Sequence, residues 1–108
     1  MSEANLSFYE FQRVNQIRCE KGFKSAVSDW NALEWAGALC GEAGELANLC
    51  KKLRRGEHVD IMDLSDEIAD VFTYLDLLAT SLGISTGAAI ASKFNRVSAK
   101  RGCPEITV

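Results

Sequence analysis

The sequence holds one proline and one histidine, and no Cys-x-x-Cys pair. A single histidine, His58, cannot build a zinc knuckle with four scattered cysteines (Cys19, Cys40, Cys50, Cys103), nor do those spacings suggest a redox dithiol. Cys40 and Cys50 sit among apolar neighbours, where a free thiol is expected to behave as a small buried hydrophobe. No apolar run reaches the length of a bilayer span, and "MSEANLSFYEF" lacks the basic start and apolar core of a signal peptide. These absences point to a cytoplasmic chain without a membrane partner. Charge of one sign is also lacking: 12 basic and 15 acidic residues give a net charge of -3, no footprint for duplex nucleic acid.

With 108 residues, 47% of them hydrophobic, the chain fits one domain, 1–108, around one modest core. Strand signals are scarce and apolar residues recur every three or four positions, so the expectation is an all-α fold, a four-helix antiparallel bundle with short loops. The first helix is expected over about 5–20, with Leu6, Tyr9, Val14 and Ile17 among its apolar positions, before a loop "KGFKSAVSD". A second helix is expected from about Trp30 to Leu53, capped by Ser28, Asp29 or Asn31 and ended by "RRG". The third, from about Ile61 to Leu82, carries the cleanest pattern: Ile61, Leu64, Ile68, Val71, Leu75, Leu78 and Leu82, a bundle seam. Gly83 closes it, and Ser85 or Thr86 caps a fourth helix that runs to about Lys100, before Gly102 and Pro104.

Two carboxylate pairs stand out. Glu42 and Glu45 in "GEAGE" lie three residues apart, about 4.5 Å along a helix axis and on one side of it. Glu67 and Asp70 in "SDEIADVFTY" repeat the spacing on the next helix, in a stripe (Asp63, Glu67, Asp70, Tyr74, Leu77) one position before the seam. A lone ExxE is commonly a solvated pair. Two such pairs flanking apolar stripes on successive antiparallel helices can converge, and four converging negative charges repel unless a cation sits among them. Mg²⁺ suits this donor set, with Mn²⁺ able to substitute, because hard oxygens bind it and leave positions open for phosphates and water. A di-iron carboxylate site would need Glu-x-x-His on two helices, which this chain lacks.

The segments "EWAGALCGEAGELANLCKKLRRG", "DLSDEIADVFTYLDLLA" and "SKFNRVSAKRG" make the chain similar to the MazG-like, all-α nucleoside triphosphate pyrophosphohydrolases, which include dCTP pyrophosphatases and dimeric dUTPases. The likeness covers roughly Trp30 to Gly102, with Gly41 where many members have another glutamate. It implies Glu42, Glu45, Glu67 and Asp70 as magnesium ligands and hydrolysis of a (d)NTP to monophosphate and pyrophosphate, a nucleotide-pool house-cleaning activity. Either Glu42 or Glu45 is then the candidate catalytic base; the sequence does not choose between them. It further implies phosphate contacts from Lys93, Asn95 and Arg96, residues that otherwise read as a solvated helix end, as do Lys51 and Lys52. Tyr74, one turn after Asp70, and Trp30 are the candidate base-contacting aromatics, with Trp35 and Phe23 behind them; a core role is the competing reading for both tryptophans, and Phe72 is assigned to the core. The second helix has two adjoining stripes, Leu33, Ala36, Cys40, Ala43, Ala47, Cys50 and Trp35, Leu39, Leu46, Leu49, with Gly37, Gly41 and Gly44 allowing close approach. One partner helix cannot cover both, so a homodimer or homotetramer is expected, as the resemblance also implies. The rival function is a non-catalytic helical oligomer that binds nucleotides or a protein partner as a regulator.

Overall fold

The computed structural model describes residues 5–108. Four helices make up the described chain: α1 (Phe8–Gly22), α2 (Ala32–Arg54), α3 (Ile61–Ser81) and α4 (Thr86–Lys100), with a 3₁₀ turn at Val27–Asp29 and no strand among the described residues. The protein is all-α. Each α-helix begins where a short polar side chain takes over an orphan backbone N–H. Ser7 accepts from the Glu10 amide, Asn31 from Glu34, Asp60 from Met62 and Ser85 from Ala88. At α2 the cap is reciprocal, because the Glu34 carboxylate accepts from the Asn31 amide at 3.2 Å. Gly56 and Gly83, at φ +84° and +70°, turn the chain after α2 and α3 in the left-handed region that favours glycine.

α2 and α3 form the main helix pair, α1 packs on α3, and α4 docks on α1. Gly87 permits that last contact: a Cβ there would stand 3.3 Å from Cβ of Phe8. A buried polar network reinforces it. Asn15 and Asp76, each 3% exposed, are joined by a 3.0 Å bond from Asn15 Nδ2 to Asp76 Oδ2. The same Asn15 amide donates to the Thr73 carbonyl, and the Thr86 hydroxyl donates to Asp76 Oδ1 at 3.2 Å. Gln12 continues the set, donating to Thr80 Oγ1 and to the Ile84 carbonyl. Three helices thus share one satisfied network.

The chain alone does not close into an antiparallel bundle, since α4 leaves α3 at 99°. No single helix among the described residues is long and apolar enough to cross a membrane. The buried apolar set is small: Cys19, Val27, Trp35, Leu77 and Ala79. Several expectations are corrected here. Of the α3 seam, Leu64, Val71 and Leu78 are partly buried, Leu78 against the core, but Ile61, Ile68, Leu75 and Leu82 are exposed; in the stripe one position earlier Leu77 is buried and Glu67 and Tyr74 partly so, while Asp63 and Asp70 are exposed. Phe72, expected in the core, is 51% exposed. On α2, Trp35, Leu39, Leu46 and Leu49 face inward, while Leu33, Cys40, Ala43, Ala47 and Cys50 face outward. Cys40 and Cys50 are therefore exposed thiols, and Cys19 is the buried one. Gly37, Gly41 and Gly44 have nothing within 4 Å of where a Cβ would lie, so no backbone of the same chain approaches them.

These departures share one physical reason. The periodicity marks which positions are apolar, but this chain has more apolar surface than its own interior can hold. Its accessible surface is 7952 Å², against roughly 5,900 Å² expected for a folded monomer of this mass. Its radius of gyration, 16.3 Å, exceeds the roughly 13 Å of a compact chain this long.

Candidate functional site

Antiparallel pairing of α2 and α3 brings the carboxylate segments face to face. Ligand oxygens of Glu42, Glu67 and Asp70 all lie within 4.8 Å of one another. Glu67 Oε2 is sealed from solvent and has no hydrogen-bond partner. An orphaned carboxylate oxygen among other carboxylates is an unusual thing for a fold to retain, because ionised oxygens accept and cannot donate to each other. Desolvation pushes the Glu67 carboxyl above its ordinary value, and the negative charges of Glu45, Glu42 and Asp70 add to the rise. Glu42 is raised likewise, first by desolvation and then by the charges of Glu45 and Asp70. Glu45 is more exposed and lies outside the group of three, yet it acts on both neighbours through its charge. A hard divalent cation fits this donor set: it would satisfy the orphaned oxygen and turn the mutual repulsion of the carboxylates into shared attraction.

Beside the carboxylates opens a cavity of about 410 Å³, bounded by α1, the 3₁₀ turn's neighbourhood, the start of α2 and α3. Asp70 belongs both to its wall and to the carboxylate group. Aromatic rings form much of the lining. Trp35, 5% exposed, is fixed by an indole N–H bond of 3.0 Å to the Val27 carbonyl. Trp30 lies against it with ring centroids 4.6 Å apart and is 41% exposed, so part of its ring is available. Tyr74 stands 6.4 Å from Trp35, and Phe23 also lines the cavity. Trp35 thus belongs to the core and also lines the cavity, beside the more exposed Trp30 and Tyr74.

The expected residues of α4 are placed elsewhere. Lys93, Asn95 and Arg96 neither line this cavity nor join the carboxylates. Asn95 spends its amide on the chain's last residue, donating to the Val108 carbonyl at 3.2 Å and accepting from its amide at 3.0 Å. Arg96 Nε donates to the Ser92 carbonyl one turn back.

Arg18, Cys19, Ser25 and Thr73 also line the cavity and were not singled out from the sequence. No motif marks them, since they meet only when α1 folds onto α3. Cys19 is not a reactive thiol: burial raises its pKa, Glu20 and Asp29 raise it further, and its Sγ lies 3.3 Å from the Ser25 carbonyl, to which it donates. Compared with known proteins, the chain matches no family model, no curated protein and no solved structure.

Proposed function

We propose that the protein is a Mg²⁺-dependent hydrolase that splits (deoxy)nucleoside triphosphates into nucleoside monophosphate and pyrophosphate. The observation that carries this reading is the position of Asp70, shared by a carboxylate group with an orphaned buried oxygen and by an aromatic cavity large enough for a nucleoside. Glu42, Glu67 and Asp70, with Glu45 beside them, hold the ion. When bound, Mg²⁺ supplies charge neutralisation for a polyphosphate and Lewis-acid activation of water. Trp30 and Tyr74 hold the base by stacking, which places the phosphate chain toward Asp70. Glu45, exposed and adjacent, accepts the proton of the attacking water.

The same reading makes the protein a homo-oligomer, at least a dimer. About 2,000 Å² of surface beyond that of a compact monomer, rich in exposed Ile, Leu and Phe, matches what one chain contributes to an obligate interface. Lys93 and Arg96 then reach a phosphate chain from a second copy, while Asn95, bonded to Val108, holds its own chain in place. Product analysis tests the chemistry. Purified protein with Mg²⁺ and a panel of canonical and modified triphosphates should yield monophosphate and pyrophosphate, and chelation should abolish turnover. Diphosphate with orthophosphate, or no turnover of any nucleotide, overturns it.

A further inference from the structure

We infer that Arg18 selects among nucleobases by donating a forked pair of hydrogen bonds to a base edge that carries two adjacent acceptors; the inference rests on the nucleotide reading above. It follows from counting the donors around the cavity. The Trp35 indole N–H is spent on the Val27 carbonyl and the Cys19 thiol on the Ser25 carbonyl. The Ser25 hydroxyl donates to Asp29 Oδ2 at 3.2 Å, and the Thr73 hydroxyl to the Ala69 carbonyl at 2.9 Å. Asp70, when ionised, only accepts. The remaining side-chain donors are the Trp30 indole N–H, the Tyr74 phenol and the guanidinium of Arg18, and only the last can offer two parallel N–H bonds; Arg18 has no hydrogen-bond or ion-pair partner among the described residues, where the one ion pair joins Arg55 and Glu57. The Arg18 stem runs beside Gly22, where a Cβ would lie 3.6 Å from its Cγ, an ordinary contact.

A guanidinium is a rigid planar fork, always charged, that pairs best with two neighbouring acceptors. Arg18 is an exposed residue of the cavity lining, and it is the group there that can present a fork to an edge of a base stacked on Trp30 and Tyr74. Guanine (O6 and N7) and cytosine (O2 and N3) carry adjacent acceptors. In adenine and uracil an N–H or C–H group interrupts them. A single bidentate pair discriminates by about tenfold to hundredfold. Arg18 therefore favours guanine and cytosine nucleotides over adenine and uracil ones.

The test is a titration of the full chain, with Mg²⁺ present, by GMP, CMP, AMP and UMP, read by quenching of the cavity tryptophans. Wild type should bind GMP and CMP at least about tenfold more tightly than AMP and UMP. Arg18→Ala should close that gap by weakening GMP and CMP alone, and Arg18→Lys, a point charge without a fork, should leave it closed. Equal weakening of all four ligands by Arg18→Ala would assign the residue to phosphate or to general charge and overturn the inference. So would a wild type with no base preference, or one that binds none of the four. The gap without any hydrolysis of triphosphates would sink the enzymatic reading and leave the role of Arg18 standing; hydrolysis without the gap would do the reverse.

Discussion

Phe72 offers the sharpest probe of assembly, because its own chain covers only about half of it. Its ring is 51% exposed and borders two apolar clefts, one with Leu6, Phe8, Phe11 and Ala69, the other with Phe8, Phe11, Leu75 and Ile90. Covering the exposed half of the ring is worth about 1 kcal/mol, and a symmetric pair covers it twice, for about 2 kcal/mol. Phe72→Asp forfeits that and seals two unpaired carboxylates in an apolar interface, at several kcal/mol more. A total of roughly 5 kcal/mol or above weakens association by more than about three decades. Sedimentation at micromolar concentration should show an oligomer for wild type and a monomer for Phe72→Asp. Far-UV circular dichroism should remain helical, since the ring supports little within its own chain. The wild-type melting temperature should also rise with protein concentration, as it does wherever partners bind only the folded state. A monomeric wild type, or a Phe72→Asp chain with unchanged mass and melting temperature, would refute the reasoning.

Glu67→Gln should lower nucleotide turnover by about 10³-fold, since it removes a charged ligand while keeping the shape. In the absence of metal the same substitution should raise the melting temperature, because it removes a desolvated charge repelled by Glu45, Glu42 and Asp70. The pH dependence has a defined sign: a carboxyl raised in the folded state above its ordinary 4.5 costs nothing below that value, and its penalty grows as pH climbs through the folded value. Metal-free wild type should therefore gain stability on acidification from neutrality toward that range, Glu67→Gln should gain less, and Mg²⁺ should remove the difference at neutral pH; equal melting curves for the two metal-free proteins across that range would contradict it. Asn15→Ala, which strips a donor from buried Asp76 and from the Thr73 carbonyl, should cost about 2–3 kcal/mol, a fall of about 10–20 °C in melting temperature by calorimetry.

Helix boundaries were legible to within two or three residues because caps are local chemistry. Asn31 with Glu34, and Ser85 before Thr86, are readable three residues at a time. The spacing that brings Glu42 near Glu67 and Asp70 was legible for a similar reason, as each pair lies on one helix and the two helices are joined by a short loop. The phase of α3 was not. Its apolar row is split, with Ile61, Ile68, Leu75 and Leu82 exposed and Leu64, Val71 and Leu78 partly buried, since periodicity marks apolar positions without saying which of them the rest of the chain covers. Arg18, Ser25 and Thr73 were invisible for a further reason: their approach depends on how α1 lies across α3, and the polar bonds that fix that crossing join Asn15, Asp76 and Thr86 across distant parts of the sequence.

The Asn15, Asp76 and Thr86 network grips α4 at its first turn, and Ile90 adds an apolar contact with α1 and α3 one turn on. Mechanically this makes α4 a cantilever: clamped at one end, departing from α3 at 99°, with its 15 residues extending about 22 Å. A rotation of 10° at the clamp moves the free tip by about 4 Å, while the clamp's own hydrogen bonds lengthen by only a fraction of that. By lever geometry alone, Arg96 and Lys100 lie on the long arm of this helix, so the angle set at Gly87 and Thr86 fixes where the basic residues of α4 stand.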